Sequence, residues 1–358
     1  MCILLLSTAH PDYPLILLSN RDEFLHRPTQ RATYWEPPYE HVFSGRDLAR
    51  PEKGKLSPLW LHTFPAGTWL GVSKQGRLAI LTNYREPSSA MAIGEKSRGA
   101  MITSFLCSPD PVETPIRDWI HKVLETGEMK GVGGFSMLCG TLRPNGENLK
   151  ELAVISNRTI HRDNGLETKA QWIGSKKGET RGLSNTLLDQ PWPKVEMGEK
   201  LLAEVVQKSV EEGVSEDELL ERCFQVLSHN TLPLITADDT YETEMDALRL
   251  SIFIPPFDAA SEHATTPNGH RARTPEDSQK QSPRAEDIAS GKPEEELKKW
   301  RKSPRLYGTA QQSVILVDKK GRLKYVERTL YAQDASPLDK KDQEVVTEFQ
   351  IEGWRSEA

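Results

Sequence analysis

Cysteine is scarce in this sequence. Its four cysteines, Cys2, Cys107, Cys139 and Cys223, stand far apart with no Cys-x-x-Cys pair. That excludes a disulfide framework and a cysteine-based zinc site, and it points to a reducing compartment. Long apolar runs are missing as well: no stretch of about 18 apolar residues exists, so nothing reads as a membrane-spanning helix. Positive charge is not in surplus. The 46 Lys and Arg against 52 Asp and Glu leave a net charge of −6, whereas a nucleic-acid partner wants a concentrated basic face. Neither a Walker loop, a Gly-x-Gly-x-x-Gly nor a Cys-x-x-Cys-His occurs, so nucleotide chemistry and covalent haem attachment have no motif. His10, His62, His121 and His229 are isolated, and no metal site is expected. Hydrophobic residues make up 37% of the chain, below the roughly 45–50% of a typical globular domain. Part of the chain is therefore expected not to fold.

What is present is mostly strand. Met1 to Leu6 open an apolar run at once and the first Lys or Arg is Arg21, a pattern that fits neither a secretory signal nor a transit peptide. The run reads as a strand closed by the turn-rich His10-Pro11-Asp12-Tyr13-Pro14, and Leu15 to Leu18 reads as its hairpin partner, both buried because neither alternates. Three more pairs follow: Thr68–Ser73 with Leu78–Asn83, Phe135–Gly140 with Leu152–Ser156, and Gln312–Val317 with Leu323–Arg328; a last strand is expected at Val345–Phe349. Helices are expected at Pro115–Glu125, at Pro193–Glu212, and from the capping box Ser215-Glu216-Asp217-Glu218 to Leu227. Strands with helices clustered in the middle fit an α+β layering. From Asp258 to Arg305 the composition turns to Ser, Thr, Pro and charge with almost no large apolar residue; such a segment cannot offset its ordering entropy and reads as a disordered insertion. The expected organisation is one domain over residues 1–257 and 306–332, the insertion at 258–305, and a C-terminal extension at 333–358.

Cys2 is the most informative position for chemistry. Removal of Met1 would put a thiol and a free α-amine on one residue, and an α-amine titrates near 7.7–8, low enough to accept the thiol proton at neutral pH. A buried cysteine at the start of a strand is the plainer alternative. Near it in the pattern stand Asn20-Arg21-Asp22-Glu23 at the end of the second strand, Asn83-Tyr84-Arg85-Glu86 after the second hairpin, and Leu183-Ser184-Asn185 before the long helix. Amide donors facing a developing oxyanion, with an arginine to orient thiolate or substrate, are what acyl transfer requires. Strand-end Asn and Asp also cap turns, so each motif alone stays open.

As an ordered set, these motifs resemble a family. Met1-Cys2-Ile3, Asn20-Arg21-Asp22-Glu23-Phe24 with Arg27-Pro28, Ser44-Gly45-Arg46-Asp47, Gly67-Thr68-Trp69-Leu70-Gly71, Leu81-Thr82-Asn83-Tyr84, Gly182-Leu183-Ser184-Asn185 and Tyr307-Gly308-Thr309 are similar to those of the NRDE family, also called the transport and Golgi organisation protein two family. The resemblance implies an N-terminal-nucleophile (Ntn) hydrolase-like sandwich of four layers, αββα, whose cousins cleave amide bonds of small acyl compounds. It implies Cys2 as nucleophile and base, Arg21 beside it, Asp22 or Glu23 orienting the amine, and Asn83 and Asn185 in the oxyanion region. Asn20, Glu23, Trp69, Tyr84 and Tyr307 would bind substrate. The sequence departs from the cousins at Phe24, where they carry Asp, and from the family at Ala310, where Arg is usual.

Two functions follow from the resemblance. One is a binding scaffold for a small hydrophobic ligand such as haem or an acyl-CoA-type lipid, with no required cofactor, serving Golgi organisation, secretion and intracellular lipid or haem trafficking. The other is a cysteine amidohydrolase or thioesterase acting through Cys2 on a small acyl substrate. The expected setting is cytoplasmic, with Golgi or mitochondrial association and room for peripheral membrane contact.

Overall fold

A computed structural model describes residues 1–49, 66–86, 94–146, 148–159, 170–233, 243, 246–258 and 306–355. The expected insertion lies outside the described residues from 259 onward, as do the stretch 50–65 and Asp238-Asp239. In chain order the strands are β1 (Ile3–Ser7), β2 (Leu15–Phe24), β3 (Thr29–Tyr34), β4 (Val42–Asp47), β5 (Leu70–Ser73), β6 (Arg77–Asn83), β7 (Phe135–Thr141), β8 (Pro144–Asn145), β9 (Asn148–Leu149), β10 (Leu152–Ser156), β11 (Gln171–Ile173), β12 (Thr180–Leu183), β13 (Phe257–Asp258), β14 (Leu306–Val317), β15 (Arg322–Thr329) and β16 (Glu344–Gln350). The helices are α1 (Gly99–Leu106), α2 (Ile116–Glu125), α3 (Pro193–Glu212), α4 (Glu216–Leu227) and the short α5 (Lys340–Gln343).

Among the described residues the strands make two large sheets. The first runs β12-β1-β2-β14-β15-β16 with β13 on β14; the second runs β11-β10-β7-β6-β5-β4-β3. Side-chain alternation sorts each strand between two neighbours. In β1, Ile3 and Leu5 pack with α3 and α4, while Leu4 and Leu6 pack against the second sheet. In β6, Leu78 and Ile80 join that inter-sheet core, and Ala79 and Leu81 face α1 and α2. Each sheet thus carries a helix pair on its outer face, giving a four-layer αββα sandwich. Burial on both faces explains why β1 and the first half of β2 read as continuous apolar runs.

The hairpins and helices fall where the sequence places them, with instructive differences. Ser215 caps α4 by accepting the Glu218 N–H at 3.3 Å, and α3 ends on Gly213 at φ +61. Strand β2 does not stop before the Asn20-Arg21-Asp22-Glu23 motif but runs through it, because β14 is longer than its apolar part suggests and pairs the whole way from Tyr307↔Phe24 to Val317↔Leu15. The edge pair β3–β4 and helix α1 carry no clear period in the sequence. β16 pairs with β15 from Arg322↔Gln350 to Arg328↔Glu344, so the segment beyond residue 332 supplies the last strand of the first sheet.

Candidate functional site

The site is built where β1 begins and the polar half of β2 lies between β1 and β14. The antiparallel register Ile3↔Asn20, carried two steps further, sets Cys2 opposite Arg21 and Met1 opposite Asp22. Alternation then divides the motif: Asn20 and Asp22 share the helix-side face of Ile16 and Leu18, whereas Arg21 and Glu23 share the inter-sheet face of Leu15 and Leu17. On β14 the register shifts between Thr309 and Gln311, opposite Asp22 and Arg21. Ala310 is the bulged residue, and the extra position lets Thr309 face the helices while Gln311 faces the second sheet.

On the helix side, Asp22 is the centre. Its Oδ2 accepts from the α-ammonium of Met1 at 2.9 Å and stands 3.9 Å from Lys194 Nζ; its Oδ1 accepts from Thr309 Oγ1 at 2.7 Å. The Met1 ammonium also donates to the Tyr307 hydroxyl at 2.5 Å, and that hydroxyl donates to the Asp22 carbonyl at 3.2 Å. Lys194 donates to the Met1 carbonyl oxygen. Its side chain is fully buried, as is that of Asp22. Burial pulls the Met1 amine and the Lys194 amine below their ordinary values, with Asp22 opposing in both cases. Burial, then Asp22, drives the Tyr307 phenol up. Lys194 reaches this place because α3 lies close on β1: a Cβ at Gly198, one turn along, would stand 2.9 Å from the Leu5 methyls.

On the inter-sheet side, Cys2 is half-buried and its Sγ donates to the Asp22 carbonyl at 3.7 Å. Burial pushes its thiol up, against the pull of the nearby α-ammonium and of Arg21. Arg21 lies over the Trp69 ring at 4.3 Å, donates to Gln311 Oε1 at 3.3 Å, and stands 4.0 Å from Glu23. Glu23 also faces Arg27 at 3.7 Å, and Arg27 clamps Asp47 with a 2.7 Å ion pair. Ser184 Oγ donates to the Cys2 carbonyl at 2.7 Å, and Asn185 Nδ2 donates to the Asn83 carbonyl at 2.5 Å. The two asparagines expected in the oxyanion region therefore meet, at the ends of β6 and β12. Tyr84 follows Asn83 with its N–H on the Gly134 carbonyl at 2.8 Å.

Two expected binding residues have other roles in this arrangement. Asn20 is fully buried and its Nδ2 donates to the carbonyls of Leu227 at 2.7 Å and Ile252 at 3.0 Å. It satisfies an orphan carbonyl at the last turn of α4 and ties the 252 loop to the sheet. Its side chain points into the helix layer, away from Arg21. Tyr307 faces the α-amine of residue 1, flanked edge-on by Phe24 and Phe257 with ring centroids at 5.4 and 5.8 Å. Sequence reasoning missed Lys194, Thr309, Gln311 and Ser184. A signal existed for Lys194: it begins the stripe Lys194, Gly198, Leu202, Val206 at helical spacing, and that stripe is the buried face of α3.

No helix among the described residues is long and apolar enough to cross a membrane, and no metal-sized cluster of His, Cys, Asp and Glu occurs among them.

The family described as Transport and Golgi organisation 2 matches residues 1–332. An uncharacterized protein of Saccharomyces cerevisiae is 28% identical over 343 residues, 93% of this chain and 93% of its own. A Transport and Golgi organization protein 2 homolog of Bos taurus is 32% identical over 222 residues, 62% of this chain and 68% of its own. Among solved structures, a Caenorhabditis elegans N-acylethanolamine-hydrolyzing acid amidase ortholog aligns over 70% of this chain and 90% of its own, at 12% identity and a TM-score of 0.32.

Proposed function

The chain belongs to the Transport and Golgi organisation 2 family, and from that premise we propose that it binds a small hydrophobic acyl ligand or haem on its Ntn hydrolase-like scaffold, serving Golgi organisation, secretion and intracellular lipid or haem trafficking. The observation that carries this reading is the state of Cys2 and Arg21. In a chain that starts at Met1, the free α-amine belongs to Met1 and is hydrogen-bonded to Asp22 and Tyr307, and Cys2 contributes only an amide nitrogen. The thiol is left protonated by burial. Arg21 meanwhile lies over the Trp69 ring at 4.3 Å, a cation on an aromatic platform suited to the carboxylate or carbonyl head of an acyl ligand.

A fluorescent long-chain acyl thioester and free haem are the probes that test it. Cys2→Ala should leave the affinity for both within about twofold, and neither protein should release thiol from the thioester; Arg21→Gln should weaken the acyl probe by about tenfold, the effect of roughly 1.4 kcal/mol. Thioester turnover that disappears in Cys2→Ala would replace this reading by the second one.

That second reading is hydrolysis. Without Met1 the new α-amine would belong to Cys2, opposite Arg21 in the ladder and beside Asp22. The amine would deprotonate the thiol, the thiolate would attack the acyl carbonyl, and Asn83 and Asn185 or nearby N–H groups would hold the oxyanion; its collapse would expel the amine or thiol leaving group, which takes the proton back from the ammonium, and water would then cleave the acyl-enzyme thioester to give the acid and the free thiol. The Asp22–ammonium pair at 2.9 Å supports it, since the same carboxylate is placed to orient an amine at this strand end.

A further inference from the structure

We propose that the place filled by Met1 is an amino-acid site: in a chain that begins at Cys2, the Asp22–Tyr307–Lys194 cluster takes a free α-amino acid with a linear apolar side chain, methionine being the best fit. This site is on the helix side of the first sheet and does not rest on the reading given for the inter-sheet side.

Every part of residue 1 is read by a separate group. The α-ammonium is bound by Asp22 Oδ2 at 2.9 Å and by the Tyr307 hydroxyl at 2.5 Å. The carbonyl is bound by Lys194 Nζ. Met1 as a whole is 6% exposed, and its side chain belongs to the same buried cluster as Trp192, Val195, Ile252 and Tyr307. These are the three recognition elements an α-amino acid offers. Asp22 is itself fixed by Thr309, whose N–H donates to the Ile254 carbonyl at 2.9 Å and whose Oγ1 accepts the Ile254 N–H at 2.9 Å, so the carboxylate is preorganised by the fold and not by Met1.

The charges also leave a place for a carboxylate. Two ammonium groups, those of Met1 and Lys194, share the single carboxylate of Asp22, and Lys194 ends on a neutral amide oxygen. Hydrolysis of the Met1–Cys2 bond would take away that acceptor and leave a fully buried lysine 3.9 Å from its nearest anion, an expensive arrangement. A zwitterionic amino acid restores both contacts. Its ammonium returns to Asp22 and Tyr307, and its carboxylate gives Lys194 a charged acceptor between Nζ and the new amine of Cys2. The apolar space favours an unbranched side chain and gives an acidic one no partner.

The test compares two full-length chains, one beginning at Met1 and one released from a cleavable fusion to begin at Cys2, with the first residue verified by mass. L-methionine at millimolar concentration should raise the unfolding midpoint of the Cys2-first chain in a saturable manner and leave the Met1-first chain unmoved. D-methionine and L-aspartate should shift the midpoint of neither chain. Lys194→Met in the Cys2-first chain should weaken L-methionine binding by roughly thirtyfold, the lower bound for truncating one partner of a buried charge pair, and should barely alter binding of 3-(methylthio)propylamine, which has no carboxylate. A folded Cys2-first chain with no saturable response, or an equal response from the Met1-first chain, overturns the proposal. If the Cys2-first chain does not fold alone, refolding with L-methionine should restore a cooperative transition, and its failure to do so overturns the proposal equally.

Discussion

Four consecutive residues, Asn20 to Glu23, serve two environments that share only a backbone. On the helix side, Asn20 and Asp22 are immersed in fixed partners: a helix-end carbonyl, a loop carbonyl, a threonine hydroxyl, an ammonium. On the inter-sheet side, Arg21 and Glu23 touch a ring, an amide and another arginine at distances of 3.3–4.3 Å. The first cluster is a closed network of short hydrogen bonds. The second is looser and keeps a guanidinium on an aromatic face. The lesson is that a contiguous motif is not one site: period-two alternation gives half of it to the helix layer and half to the space between the sheets.

The comparison can be broken most forcefully at Asp22. Asp22→Asn leaves the Met1 ammonium and Lys194 without their anion and should cost about 3–5 kcal/mol, the range for breaking a buried ion pair, read from the urea midpoint. A loss below about 1 kcal/mol would mean the two faces do not differ as described. Asn20→Ala comes next: two buried carbonyls lose their donor, and about 1–3 kcal/mol should go with affinity for inter-sheet ligands unchanged. A weakened ligand with intact stability would move Asn20 back into a binding role.

The smallest effect sharpens the contrast between buried carboxylates. Glu327, on the inter-sheet side, is ion-paired with no ammonium among the described residues, though the charges of Arg31 and Arg21 reach it; it accepts the Ala32 N–H at 3.0 Å and the Tyr325 hydroxyl at 3.2 Å. Burial pushes its carboxyl up, with those two bonds pulling the other way. A carboxyl whose folded value is raised holds its proton more tightly in the folded state, so its contribution is full below the unfolded value of about 4.3 and is lost as pH rises through the folded one. Glu327→Gln, which does not titrate, should therefore gain on the parent chain between pH 4 and pH 8 in thermal unfolding. A stability difference that is flat with pH would contradict this.

Much of the fold was legible because its signals are local. The Lys74-Gln75-Gly76 and Lys319-Lys320-Gly321 turns, with Gly76 at φ +86 and Gly321 at φ +81, mark their hairpins, and Ser215 with Glu218 marks α4. The polar end of β2 was not legible as strand, since its pairing depends on a partner about three hundred residues away. The face that Asn20 takes was not legible for a related reason: composition names a motif, but only register says which face each residue takes. Lys194 follows Pro193 at a helix start, where lysine ordinarily meets water, and its burial depends on the close approach at Gly198. The edge pair β3–β4 carries a register shift between Gln30 and Thr33, which erases the alternation that would have marked it.

The order of strands also fixes an order of events in synthesis. The second sheet draws β3 to β7, β10 and β11 from one contiguous stretch of chain, whereas the first closes only when β14 reaches β2. From the end of β2 at Phe24 to the end of β14 at Val317, a ribosome adding about 5–20 residues per second needs on the order of 15–60 s. Throughout that interval the apolar β1–β2 hairpin lacks the partner on its other edge, and its high contact order makes closure slow even afterwards. The segment that carries Cys2 and Arg21 is thus made long before its second edge is covered.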